Sequence, residues 1–89
     1  MAETYYVYCL YSEVYDKIYI GFTRDLTNRM IWHNEKSQRG YTTKFRPWKV
    51  VYTEVYETET ETAARAREKY LKSYRGRIFL REKLKTSGS

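Results

Sequence analysis

The sequence contains a single cysteine, Cys9, so no disulfide can form within the chain, and no Cys/His cluster has the spacing of a zinc site. Long apolar runs are missing as well. The longest extend over only a few residues, well short of the roughly 20 that a transmembrane helix needs. The opening Met1-Ala2-Glu3-Thr4 has no basic segment leading into an apolar one, so no signal peptide is expected, and the cytoplasm is the expected location. No internal repeat and no linker divides the chain. At 89 residues it is expected to form one domain over residues 1–85, with a fraying, flexible tail at 86–89. A domain of this size buries only about 60% of its unfolded surface, which leaves one thin core and no second lobe.

Positive charge and tyrosine are abundant. Seventeen Lys and Arg against eleven Asp and Glu give a net charge of +6, and eleven residues are tyrosine. The charge is segregated: residues 1–21 sum to −2, 22–49 to +5, 50–64 to −4 and 65–89 to +7. A basic excess is a statement about partners, and polyphosphate is the first candidate.

Residues 4–11 and 17–22 are rich in aromatic and β-branched side chains and are joined by the polar stretch 12–16, the pattern of a hairpin. Asp25-Leu26 opens a predicted helix to about residue 34 or 36, with Leu26, Met30 and His33 recurring on one side. Residues 37–47 read as a basic loop, and 48–56 as a third strand. Thr58 and Glu61 match a capping box, which predicts a helix from Thr58 to about Tyr74, stopped by Gly76. A short final helix is predicted over 77–85. The order β-β-α-β-α-α gives an α+β domain, a three-stranded antiparallel sheet flanked by helices.

Several polar side chains fall on faces that periodicity assigns to packing. Tyr8 shares a strand face with Leu10, and Tyr19 shares one with Gly21. Arg29 and His33 flank the apolar stripe of the first helix. Glu68 sits between Ala64 and Leu71, out of place for a carboxylate on a solvated face. Taken singly, each has a plain reading: tyrosines as amphipathic core, Arg29 as surface charge, His33 as a helix-end partner, Glu68 as half of a pair with Lys72.

Together they form an ordered set. Tyr6-Val7-Tyr8, followed ten residues later by Tyr19-Ile20-Gly21, resembles the two-part signature of the GIY-YIG nuclease family. Arg29 within Asp25-Leu26-Thr27-Asn28-Arg29 is similar to that family's helix arginine motif, and His33-Asn34 falls one turn on. Arg67-Glu68-Lys69-Tyr70-Leu71-Lys72 resembles the helix segment that carries its acidic metal ligand. Arg46-Pro47-Trp48-Lys49 is similar to the short single-domain bacterial members. The likeness spans about residues 4 to 84. Phe22 stands where the family's excision-repair incision subunit has a catalytic lysine, with Arg24 or a neighbour the available replacement for that charge.

The resemblance implies metal-dependent phosphodiester hydrolysis in DNA, with RNA left open as a substrate, in repair or recombination. Glu68 would hold a hydrated Mg²⁺ or Mn²⁺. Arg29 would bind a non-bridging phosphate oxygen, and Tyr8, Tyr19 or His33 would act as the base. Arg24, Arg39, Lys44, Arg46 and Lys49 would follow the phosphate backbone, and Tyr41 or Trp48 would stack on an unpaired base. With so small a basic surface, selection by DNA shape rather than sequence is expected. One such site nicks one strand, so a double-strand cut calls for a homodimer; a separate targeting subunit is the other expected partner. The rival reading is a non-catalytic nucleic-acid-binding module on the same fold.

Overall fold

Strand-forming sequence at both ends of a short polar turn builds the first unit. In the computed structural model, which describes residues 3–38 and 40–87, β1 (Glu3–Ser12) pairs antiparallel with β2 (Lys17–Thr23). The chain then forms α1 (Leu26–Ile31), which continues as a π-helical segment (Trp32–Lys36). A short α2 (Tyr41–Lys44), β3 (Lys49–Thr58), α3 (Thr62–Lys72) and α4 (Tyr74–Ser87) follow. The three strands form one antiparallel sheet, as the sequence predicts, and their order across it is β2-β1-β3. Among the described residues no helix is long and apolar enough to cross a membrane.

Both faces of β1 are covered, because its side chains alternate between two cores. Tyr5, Val7 and Cys9 join Ile18 and Ile20 under Ala64 and Leu71 of α3 and Leu80 of α4. Tyr8 and Leu10 point the other way and meet Trp48, with Tyr19, Leu26, Met30 and Phe45 around them. Burying these faces supplies the main drive for folding, roughly 1.5–3 kcal/mol per fully buried large apolar side chain. The predicted stripe of α1 is realised: Leu26 and Met30 pack on the second core and His33 is buried beyond them. Asp25 caps α1, its side chain accepting from the Asn28 backbone N–H at 3.1 Å.

Three local expectations are corrected. The capping box at Thr58 does not form, because Thr58 pairs with Glu3 as the last rung of β3, and the helix starts only at Thr62. Glu61 instead pairs with Arg65 one turn on. Gly76 does not stop a helix. The break falls at Ser73, whose hydroxyl donates to the Tyr70 carbonyl and accepts from the Gly76 N–H, while Gly76 lies inside α4. A methyl group on residue 76 would come within 2.3 Å of the Tyr70 carbonyl oxygen, so this glycine permits the tight corner between α3 and α4. The basic loop, finally, contains the single helical turn of α2.

Candidate active site

Tyr8 stands at the centre of the sheet, opposite Gly21 on one side and Thr53 on the other. Because Gly21 has no side chain, the Tyr8 ring lies across β2. A methyl group on residue 21 would be 2.6 Å from the Tyr8 hydroxyl and 2.8 Å from Cζ. That crossing carries the phenol toward the π-helical segment, where Tyr8 Oη is 3.0 Å from His33 Nε2. Which of the two atoms donates depends on the imidazole tautomer.

His33 is 1% exposed, and its Nδ1 has no hydrogen-bond partner among the described residues. Its ring meets Tyr19 edge-on with centroids 4.9 Å apart, and Tyr8 and Tyr19 are 6.4 Å apart. Three elements thus deliver three rings to one place. A π-helical turn widens the helix by one residue, a feature often found at functional sites.

Burial raises the Tyr8 phenol well above its ordinary range, with Tyr19 adding to the shift; Arg29 pulls it down and Glu68 pushes it up. Burial also lowers His33 to about 4, assisted by the positive charges of Arg29 and Arg46. At neutral pH both partners of the contact are therefore uncharged. Arg29 lies one turn before His33 with an exposed side chain, its guanidinium 5.5 Å from the centroid of the Trp32 ring. Glu68 comes from α3, across the sheet from α1, is largely shielded and forms an ion pair with Lys72 at 3.3 Å. Tyr8, Tyr19, Arg29 and His33 are brought together, and Glu68 acts on the same phenol.

The five cations expected to follow a phosphate backbone do not behave alike. Lys44 is exposed, its ammonium 5.4 Å from the Phe45 ring centroid. Arg24 pairs with Glu3 at 3.2 Å, and Lys49 with Glu13; all four side chains are largely exposed, so a polyanion can displace either partner. Arg46 has turned inward. Its Nε donates to the His33 carbonyl at 2.7 Å and its Nη2 to the Ser37 carbonyl. Arg39 lies outside the described residues. Of the two aromatic residues expected to stack on a base, Trp48 is buried and donates Nε1–H to the Thr42 carbonyl at 2.7 Å, whereas Tyr41 is 43% exposed.

Sequence reasoning missed Trp32 and gave Asn34 no role. Trp32 is 42% exposed and touches His33 with its ring edge, 5.2 Å between centroids. An exposed Trp one position before the motif histidine was the available signal. The Asn34 side chain takes both backbone groups of Trp48, accepting its N–H at 2.7 Å and donating to its C=O at 3.0 Å. No sequence pattern marks such a bond.

As to a metal, no group of three or more His, Cys, Asp or Glu residues gathers among the described residues. One shielded carboxylate, Glu68, whose charge reaches the Tyr8 phenol, is a hard-oxygen donor. It fits a cation that keeps most of its waters, as Mg²⁺ does, and does not fit zinc or an all-protein calcium cage.

Comparison with known proteins identifies the family. The family model described as the GIY-YIG catalytic domain matches residues 4–82. A UPF0213 protein of Staphylococcus epidermidis is 39% identical over 57 residues, covering 64% of this chain and 67% of the relative. A UPF0213 protein of Staphylococcus aureus matches to the same extent, and one from Staphylococcus saprophyticus is 35% identical over 51 residues. The match to the last spans 57% of this chain and 62% of that relative. No solved structure matches the chain. With the matched model running across all three strands and the helices that carry the motif residues, this chain belongs to the GIY-YIG catalytic-domain family of nucleases.

Proposed function

We propose that this protein is a divalent-metal-dependent endonuclease that hydrolyses DNA phosphodiesters, selects its substrate by shape, and acts in repair or recombination. The observation that carries this reading is the 3.0 Å contact of Tyr8 Oη with His33 Nε2, with the charges of Arg29 and Glu68 acting on the phenol.

In this reading Tyr8 receives the proton of the attacking water. A buried, neutral phenol is a poor base alone, but it can accept from water while passing its own proton to Nε2 of neutral His33. His33 is suited to that task because its lowered pKa keeps the ring neutral at pH 7, and with the proton on Nδ1 its Nε2 accepts. Arg29 forks onto a non-bridging oxygen of the scissile phosphate, where negative charge grows in the transition state. Glu68 would hold a Mg²⁺ or Mn²⁺ ion, which when bound would supply further neutralisation of the developing negative charge. Tyr19 packs against His33 and restrains its ring.

Exposed Trp32 and Tyr41 flank these rings, and Lys44 stands beside Tyr41. Aromatic faces next to cations hold unpaired bases without reading their identity. That pattern favours branched or flapped DNA over a plain duplex. The test is incubation of labelled duplex, flap, junction and single-stranded DNA with Mg²⁺, Mn²⁺ or EDTA. Metal-dependent cutting of substrates with unpaired bases, lost in Glu68→Ala, supports the reading. Binding without cutting on every substrate replaces it with the non-catalytic module.

A further inference from the structure

α3 has little apolar hold on the sheet. Of its eleven residues only Ala64 and Leu71 are buried, seven positions apart on one side. Two contacts along a line leave a helix free to roll about that line. A roll of about 20° moves a side-chain end about 6 Å from the axis by roughly 2 Å, far outside the tolerance of about 0.5 Å for a working site.

Arg67 stops that roll. Its Nε meets both carboxylate oxygens of Glu54 on β3 at 2.9 and 3.0 Å, and its Nη2 donates to Oε2 at 2.9 Å. Glu54 also accepts from the hydroxyls of Tyr52 and Tyr56, its neighbours on the same strand face. The guanidinium lies 5.1 Å from the Tyr70 ring centroid and 5.6 Å from that of Phe79. One planar group therefore joins β3, α3 and α4, held by a forked carboxylate at its edge and by two rings. Packed apolar side chains of the same volume would hold the helix at least as firmly, so the distinctive contribution of a shielded ion pair is orientation. Arg67 and Glu68 are consecutive, and about 100° separates them around the helix. With Arg67 fixed on β3, Glu68 is turned away from Arg67, and its charge reaches the Tyr8 phenol.

We propose that Arg67 and Glu54 form an orienting clamp: they are positioning residues that set the rotation of α3 and so aim the Glu68 carboxylate at the divalent cation beside Tyr8. The proposal rests on the reading of Glu68 as the metal ligand. The plain alternative is a latch that only fastens α3 to the sheet.

The two part company in metal binding. Arg67→Lys keeps the charge but cannot fork, and Glu54→Gln keeps the shape but not the charge. Mn²⁺ binding is measured by calorimetry on the full chain without DNA, and the Mg²⁺ half-saturation of flap cleavage is measured beside it. In both variants the Mn²⁺ dissociation constant and the Mg²⁺ half-saturation are expected to rise about tenfold, as for outer groups that orient metal ligands. Cleavage at saturating Mg²⁺ stays within about threefold of wild type. Val51→Ala, which weakens the same core elsewhere, lowers the melting temperature and leaves both titrations in place. If the clamp variants melt earlier but bind Mn²⁺ as wild type does, the clamp is only a latch and the proposal fails. If Glu68→Ala itself binds Mn²⁺ and cuts normally, the reading of Glu68 fails first and takes the clamp with it. Should neither clamp variant fold, Tyr56→Phe removes one support of Glu54, and an unchanged Mn²⁺ constant there overturns the proposal.

Discussion

Tyr8 passes over Gly21 so closely that a methyl group on residue 21 would lie 2.6 Å from the Tyr8 hydroxyl oxygen. The glycine of the second triplet and the tyrosine of the first are thus one steric unit. Gly21→Ala pushes the phenol off His33. The expected result is a loss of about 1–3 kcal/mol of stability, the usual effect of overpacking. Cleavage should fall at least about 100-fold, the scale expected for a misplaced catalytic group. Urea denaturation and single-turnover cleavage check the pair, and an unaffected cleavage rate would remove Tyr8 from the mechanism.

Tyr8→Phe keeps the ring and removes the hydroxyl. His33 Nε2 then joins Nδ1 in having no hydrogen-bond partner among the described residues. Stability should drop by about 1–3 kcal/mol for the newly unpaired buried nitrogen. Cutting should be lost while flap binding, measured by anisotropy, stays within about twofold.

The histidine also makes stability pH-dependent. Burial, with Arg29 and Arg46 nearby, lowers His33 from its ordinary 6.5 to about 4 in the folded state. The unfolded chain therefore takes up the proton first as pH falls. The contribution is complete above pH 6.5 and is lost on the way down to pH 4, at up to about 1.4 kcal/mol per pH unit. Urea midpoints at pH 7 and 5 should differ less in His33→Gln than in wild type.

The sequence was easiest to read where one periodicity was at work. Leu26, Met30 and His33 are four and three residues apart and face one core, and the alternation of β1 sends Tyr8 and Val7 to opposite sides. It misled where one residue type serves two purposes. Thr58 suits a helix cap and a strand end equally, and the partner that decides, Glu3, is more than fifty residues away. Gly76 reads as a stop but permits a close crossing. Arg46 reads as a phosphate ligand because nothing local announces that the carbonyls of His33 and Ser37 will need its donors.

That reassignment of Arg46 has its own test. Arg46→Met frees two carbonyls and should destabilise by about 2 kcal/mol, since hydrogen bonds from charged donors are the stronger class. It should leave the dependence of DNA affinity on salt unchanged. Lys44→Ala should do the reverse, reducing the log–log salt slope by about 1 with little effect on stability. A reduced slope for Arg46→Met would return it to the phosphate track.

Trp32→Ala and Tyr41→Ala should each weaken binding to unpaired strands by about 1–3 kcal/mol, with a smaller effect on blunt duplex. Iodide quenching offers a direct view, because Trp32 is exposed and Trp48 is buried. Quenching should diminish when a flap substrate binds in EDTA.

The order β2-β1-β3 puts the first strand in the middle of the sheet, and its two neighbours reach it by very different routes. β2 returns after the four residues 13–16, whereas β3 arrives only after the twenty-five residues 24–48. Closing the longer loop carries the larger entropy penalty, so the hairpin should form early and β3 should join late. The segment inside that longer loop holds Arg29 and His33, and Glu68 follows after it. A chain caught midway would have its tyrosines in register but no histidine, arginine or carboxylate beside them. The proposed site is thus complete only once the last strand has docked.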